Sequence, residues 1–133
     1  MTIRLRNSFL YVDDPAAALA FYRDVLGFEV LMDVDQGGGM RWITIAHPGA
    51  DTSIVLTPVT AGVSEEDGTV LADLLAKGVL AGAVLETDDL DAAFERIAAS
   101  GADIMQEPMD QPWGARDAAF RDPAGNHLRI SQA

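Results

Sequence analysis

An α+β fold made of two tandem βαβββ modules follows from three observations. The stretch from Asp13 to Val30 reads as a helix with both ends marked and a strand directly after it. The same pattern returns from Leu85 to Ile104, which identifies a duplicated unit. Strand-like runs fill the rest of each half, so each reads strand, helix, strand, strand, strand. The expected boundaries are a first module at residues 1–60, a linker with a short helix at 61–78, and a second module at 79–133.

The elements can be justified in order. Arg4 to Val12 ends in Phe9-Leu10-Tyr11-Val12, a first strand with Leu10 and Val12 on one face and Asn7, Phe9 and Tyr11 on the other. Asp14 caps the first helix and Pro15 suits its first turn, where no donor is needed. Leu19, Tyr22 and Leu26 share one helical face, and Gly27 ends the helix. Phe28 to Met32 is the second strand, and Gln36-Gly37-Gly38-Gly39 a flexible hairpin loop. Arg41 to Ala46 and Ser53 to Thr57 are the third and fourth strands, stopped by Pro48-Gly49 and Pro58.

Ala61 to Thr69 is polar and acidic, a linker, before the short helical stripe Leu71, Leu74 and Leu75, closed by Lys77 and Gly78. Val79 to Thr87 is the fifth strand and Asp89 to Ser100 the second long helix, closed by Gly101. Ile104 to Met109 is the sixth strand, broken at Pro108. Trp113-Gly114 introduces the seventh, which runs to Phe120. Asp122-Pro123-Ala124-Gly125-Asn126 is a turn, and His127 to Ser131 the eighth strand. A helix covers only one face of a four-stranded sheet, so function is sought on the other.

Composition narrows the classes. No apolar run approaches the ~18 residues of a membrane span, and the N-terminus lacks the apolar core of a signal peptide. Cysteine is absent, which removes disulfides, thiolate chemistry and cysteine metal sites. A soluble cytoplasmic protein is expected. The net charge of −12 argues against nucleic acid. That charge draws cations at long range, but plain solubility accounts for it more simply.

Two motifs carry a family resemblance. Tyr11-Val12-Asp13-Asp14 leads to Phe21-Tyr22-Arg23-Asp24-Val25-Leu26-Gly27-Phe28, and Pro112-Trp113-Gly114 leads to Phe120-Arg121-Asp122-Pro123-Ala124-Gly125-Asn126. Together with the repeat they resemble the vicinal oxygen chelate superfamily of glyoxalase I, bleomycin-resistance proteins, fosfomycin-resistance enzymes and extradiol dioxygenases. The resemblance implies paired βαβββ modules whose mixed sheets curl around a concave cavity with helices outside, often in a dimer. It fixes fold better than reaction.

Metal-dependent relatives hold one divalent ion with side chains from the first and last strands of each module. The matching positions here are Asn7, Val55, Gly82 and Arg129. Such a site needs His, Glu or Gln. Asn7 offers a weak amide oxygen, Val55 and Gly82 no side-chain donor, and Arg129 a positive charge. Sliding each strand by one residue (Arg6 or Ser8, Ile54 or Leu56, Ala81 or Ala83, Leu128 or Ile130) brings in no customary ligand. His47 reads as an exposed strand-end residue, and His127 as structural or ligand-contacting rather than metal-binding. The expectation is a chain without the metal and without another cofactor.

Strand parity then assigns the cavity wall. Ile43 and Ile45 fit under the first helix, so Trp42 and Thr44 look inward with Asn7, Phe9, Tyr11, Ser53, Val55 and Thr57. His127 and Arg129 line the second module, with Trp113 at its mouth by the resemblance. Aromatic walls with a few polar groups suit a small organic ligand. Arg129 is placed to clamp a carboxylate or phosphate, and Trp42, Tyr11 and Trp113 to stack on a ring or hold a cation. The leading expectation is a metal-free, bleomycin-resistance-like binding protein that forms a homodimer. The alternatives are a metal-dependent lyase, isomerase or extradiol dioxygenase, and a dimeric interaction module without a small ligand.

Overall fold

The computed structural model describes residues 1–133 apart from Gly39 and Ala81. The last glycine of the hairpin run and one slid strand position therefore lie outside the described residues. The chain divides into two units, Met1–Asp73 and Leu74–Ala133.

In the first unit, β1 (Asn7–Val12), β2 (Glu29–Asp35), β3 (Arg41–Ala46) and β4 (Ser53–Pro58) form one sheet in the order β1-β4-β3-β2. β1 runs parallel to β4, and the other neighbours are antiparallel. Helix α1 (Pro15–Ala20) covers one face. Asp14 Oδ1 accepts from Ala16 N at 3.1 Å and Ala17 N at 3.3 Å, which fixes its start. Beneath it Leu10, Val12, Ile43, Ile45 and Leu56 are buried. Each contributes roughly 1.5–3 kcal/mol by leaving water.

The first helix departs from the expected uniform winding. After Ala20 the chain opens into a π-helical turn, Phe21–Val25, with Leu26 N donating to Phe21 O at 3.1 Å. Phe21 and Tyr22 are both buried there, packed edge-on with centroids 5.6 Å apart. Gly27 follows with φ +80°, the left-handed stop the sequence called for.

Strand ends also differ. β2 runs on to Asp35 rather than stopping at Met32, because Arg41 reaches across to Asp33 with two 2.8 Å bonds. β1 begins at Asn7, opposite Ser53, the first residue of its partner. The polar segment expected as linker is helical from Glu65: α2 spans Glu65–Ala76. Ser64 Oγ accepts from Asp67 N at 3.1 Å, and Glu65, Glu66 and Asp67 complement the dipole of the first turn.

In the second unit, β5 (Ala83–Thr87), β6 (Ile104–Asp110), β7 (Arg116–Arg121) and β8 (His127–Gln132) repeat the design in the order β5-β8-β7-β6. Helix α3 (Leu90–Ala99) buries Leu90 and Ile97 on the side of Ala118, Phe120, Leu128 and Ile130. Asp89 Oδ1 caps it at Ala92 N, 3.1 Å. β5 begins at Ala83 rather than Val79. β7 begins at Arg116 because Trp113 and Gly114 are spent in a turn closed by Gln111 N to Ala115 O at 2.7 Å. β6 continues past Pro108, with register shifts on either side of Gln106.

The turn before β8 is held by one carboxylate. Asp122 Oδ1 accepts from the backbone N–H of Ala124, Gly125 and Asn126 at 2.9–3.0 Å, and Oδ2 from Asn126 Nδ2 at 2.8 Å. Gly125 has φ +113°, and a Cβ there would run into the carbonyl oxygen of Leu75. Both demands restrict the position to glycine.

Candidate functional site

Each sheet has a face its helix leaves open. On the first, register sets Phe9, Val55, Thr44 and Met32 side by side across the four strands. Tyr11 pairs with Thr57, Asn7 with Ser53, and Trp42 with Val34. All six first-unit residues expected at the site (Asn7, Phe9, Tyr11, Trp42, Thr44 and Val55) therefore lie on one face.

Aromatic rings dominate this face. Phe9 and Trp42 meet edge-to-face, centroids 6.0 Å apart at 82°. Both keep substantial exposure, 57% and 39%, while Val55 is 1% exposed. The indole N–H of Trp42 donates to Thr44 Oγ1 at 3.0 Å, which fixes the ring plane. Thr57 Oγ1 is enclosed without a hydrogen-bond partner among the described residues. Apart from Glu29 at its edge, paired with Ala46, the described strand residues on this face carry no charge.

The second sheet repeats the backbone with different chemistry. Register aligns Val84, Arg129, Ala119 and Gln106 in one row, and Glu86, Ser131, Asp117 and Met109 in the next. Asp117 is 2% exposed. Its Oδ1 accepts from Gln111 Nε2 at 2.8 Å and Gln106 Nε2 at 2.9 Å, and its Oδ2 lies 3.1 Å from Arg129 Nη1. Arg129 Nη1 also donates to Gln106 Oε1 at 3.1 Å. The Gln111 amide, and after it Gln106 and Arg129, hold the Asp117 carboxyl below the usual carboxylate range, against the burial that raises it.

Beside this network lies an open depression of about 500 Å³ lined by Val79, Leu80, Val84, His127 and Arg129. His127 and Arg129 thus share a wall, as parity predicts. His127 Nε2 is buried without a hydrogen-bond partner among the described residues. Trp113 lies on neither strand face: it sits in the turn between β6 and β7, 72% exposed.

Arg129, which the sequence offers as a clamp for an anion, already holds a carboxylate of the chain itself, that of Asp117. Sequence reasoning missed Asp117, Gln106 and Gln111. The available signal was the alternation Asp117-Ala118-Ala119-Phe120: with Phe120 under the helix, a carboxylate must face the open side.

The donor set does not fit a divalent ion. The four positions that relatives use hold an amide, an isopropyl group, a bare backbone and a guanidinium. The one carboxylate beside Arg129 is already engaged by three neighbours. Among the described residues no three His, Asp or Glu side chains gather as a metal site.

Comparison with known proteins matches the fold. The family model for the Glyoxalase/Bleomycin resistance protein/Dioxygenase superfamily matches residues 4–130. The crystal structure of UcmS2 is similar at a TM-score of 0.89, with 34% identity over the whole of both chains. TnmS3, an antibiotic binding protein from Streptomyces sp. CB03234, gives a TM-score of 0.76 and 32% identity, covering 98% of this chain and 96% of that one. Among curated relatives, the uncharacterized protein YetH of Bacillus subtilis (strain 168) is 26% identical over 123 residues, 92% of each chain.

Proposed function

The chain belongs to the Glyoxalase/Bleomycin resistance protein/Dioxygenase superfamily, and within it we propose a metal-free binding protein that takes a small organic molecule on the open faces of its sheets. The observation that carries this reading is the exposed Phe9–Trp42 pair on a nearly uncharged sheet face. Such a surface gains affinity from stacking and from burial of apolar area. The similarity to TnmS3, described as antibiotic-binding, supports the same reading.

Asn7, Phe9, Tyr11, Trp42, Thr44 and Val55 form the contact surface of the first unit in this proposal, and Trp113, His127 and Arg129 are the contact residues of the second. A lyase or dioxygenase of this fold needs a metal as Lewis acid or oxygen-activating centre, and the residues at the four positions offer only the weak amide oxygen of Asn7. A homodimer is part of the same proposal, since open sheet faces need cover.

A thermal-shift screen of planar aromatic metabolites and cationic drugs, run with a chelator present, tests it. A ligand at 100 times its Kd stabilises the chain by about 2.7 kcal/mol. Silence across such a set would contradict the proposal.

A further inference from the structure

We infer that Asp117 sets the charge preference of the second sheet's open face, making it a site for uncharged ligands that carry a carbonyl-type oxygen. The inference rests on the reading of the chain as a small-molecule binder and adds the ligand class.

A lone guanidinium on a sheet face recruits carboxylates and phosphates through two parallel bonds. Here Arg129 stands beside a carboxylate that is 2% exposed and anchored from two further directions by Gln106 and Gln111. The pair is close to neutral before any ligand arrives. An incoming anion would have to compete with a carboxylate already fixed in place.

Glu86 and Arg121 also face this region. Glu86 lies on the same face, in the next row. Arg121, at the far end of β7, is turned to Asp103 at 3.8 Å and to the Lys77 carbonyl at 3.5 Å.

Arg129 keeps donors to offer. Among the described residues, its contacts to Gln106 and Asp117 both run through Nη1. Nε and Nη2 have no partner among the described residues, and Arg129 lines the depression with Val84 and His127. A neutral ketone, quinone or amide oxygen accepts such a bond without bringing a charge to be desolvated. Asp117 acts here as a positioning residue, since it is too enclosed to touch the ligand.

Isothermal titration of the full chain with 9-fluorenone and 9-fluorenone-4-carboxylate tests this. The expected result is binding of the neutral ketone at least ten times tighter than its carboxylate. Asp117→Asn should cancel or reverse that ratio. Arg129→Lys keeps the charge but loses the fork, and should weaken the ketone at least fivefold.

Equal affinity for the two probes, or a ratio unchanged in Asp117→Asn, overturns the inference and leaves the binding reading intact. If Asp117→Asn fails to fold, Arg129→Lys decides, and an unaltered ketone affinity overturns the inference. Failure of both probes on the unaltered chain overturns the inference, whereas a silent ligand screen is what overturns the binding reading.

Discussion

Arg129 Nη1 lies 3.1 Å from Asp117 Oδ2 on the open face of the second sheet, and that carboxylate is the most enclosed charge of the sheet's inner rows. Its carboxyl is held low by Gln111, Gln106 and Arg129. A lowered folded-state value means the stabilisation is fully present above the unfolded carboxyl value of about 3.9 and is lost as pH falls through the lower folded value. Asp117→Asn should therefore unfold more easily than the unaltered chain at neutral pH, by about 1–3 kcal/mol. The gap should close on acidification. Denaturant titrations from neutral pH down through the carboxylate range check both parts.

Trp42 presents a different balance. The ring is part-exposed, and its N–H is tied to Thr44. Trp42→Ala should cost the fold about 1 kcal/mol, the ordinary size of a point change, while abolishing ligand-induced thermal shifts. Trp42→Phe keeps a ring for stacking but drops the Thr44 bond, so it should retain part of the shift. Melting curves with and without a screened ligand separate the two.

Helix capping gives a prediction independent of any ligand. Asp14 accepts from two N–H groups and Asp89 from one. Asp14→Ala and Asp89→Ala should each destabilise by about 1 kcal/mol. Measured midpoints of chemical unfolding, with an unchanged denaturant slope, would carry the result.

At Gly125 the backbone angle and the Leu75 carbonyl both oppose a side chain. Gly125→Ala should thus cost more than the ~1 kcal/mol that typically bounds a tolerated glycine replacement. Gly114, with φ +100° but open space around its Cβ position, should cost less. Comparing the two variants separates steric from torsional strain.

Much of this architecture could be read from short-range signals. Asp14, Pro15 and Gly27 mark one helix and Asp89 and Gly101 the other, and period-2 alternation placed Trp42 and Thr44 opposite Ile43 and Ile45. These cues act within one element, where sequence is most direct.

What escaped depends on partners distant in the chain. The extension of β2 needs Arg41 to find Asp33; the π-helical turn at Phe21–Val25 is a local exception, a change of winding that the i, i+3, i+7 spacing does not mark. The Asp117 network joins Gln106, Gln111 and Arg129 from two strands and a turn. Parity alone sets Asp117 on the open face, but only the cross-strand register reveals that it neutralises Arg129.

The most direct test of the account is the indole N–H resonance of Trp42, followed by two-dimensional NMR during titration with a ligand from the screen in the presence of a chelator. The account predicts a saturable shift of that signal, unchanged by the chelator and absent for a ligand that fails to stabilise the chain. A signal that stays still while the ligand binds, or moves only after a divalent metal is supplied, would contradict it.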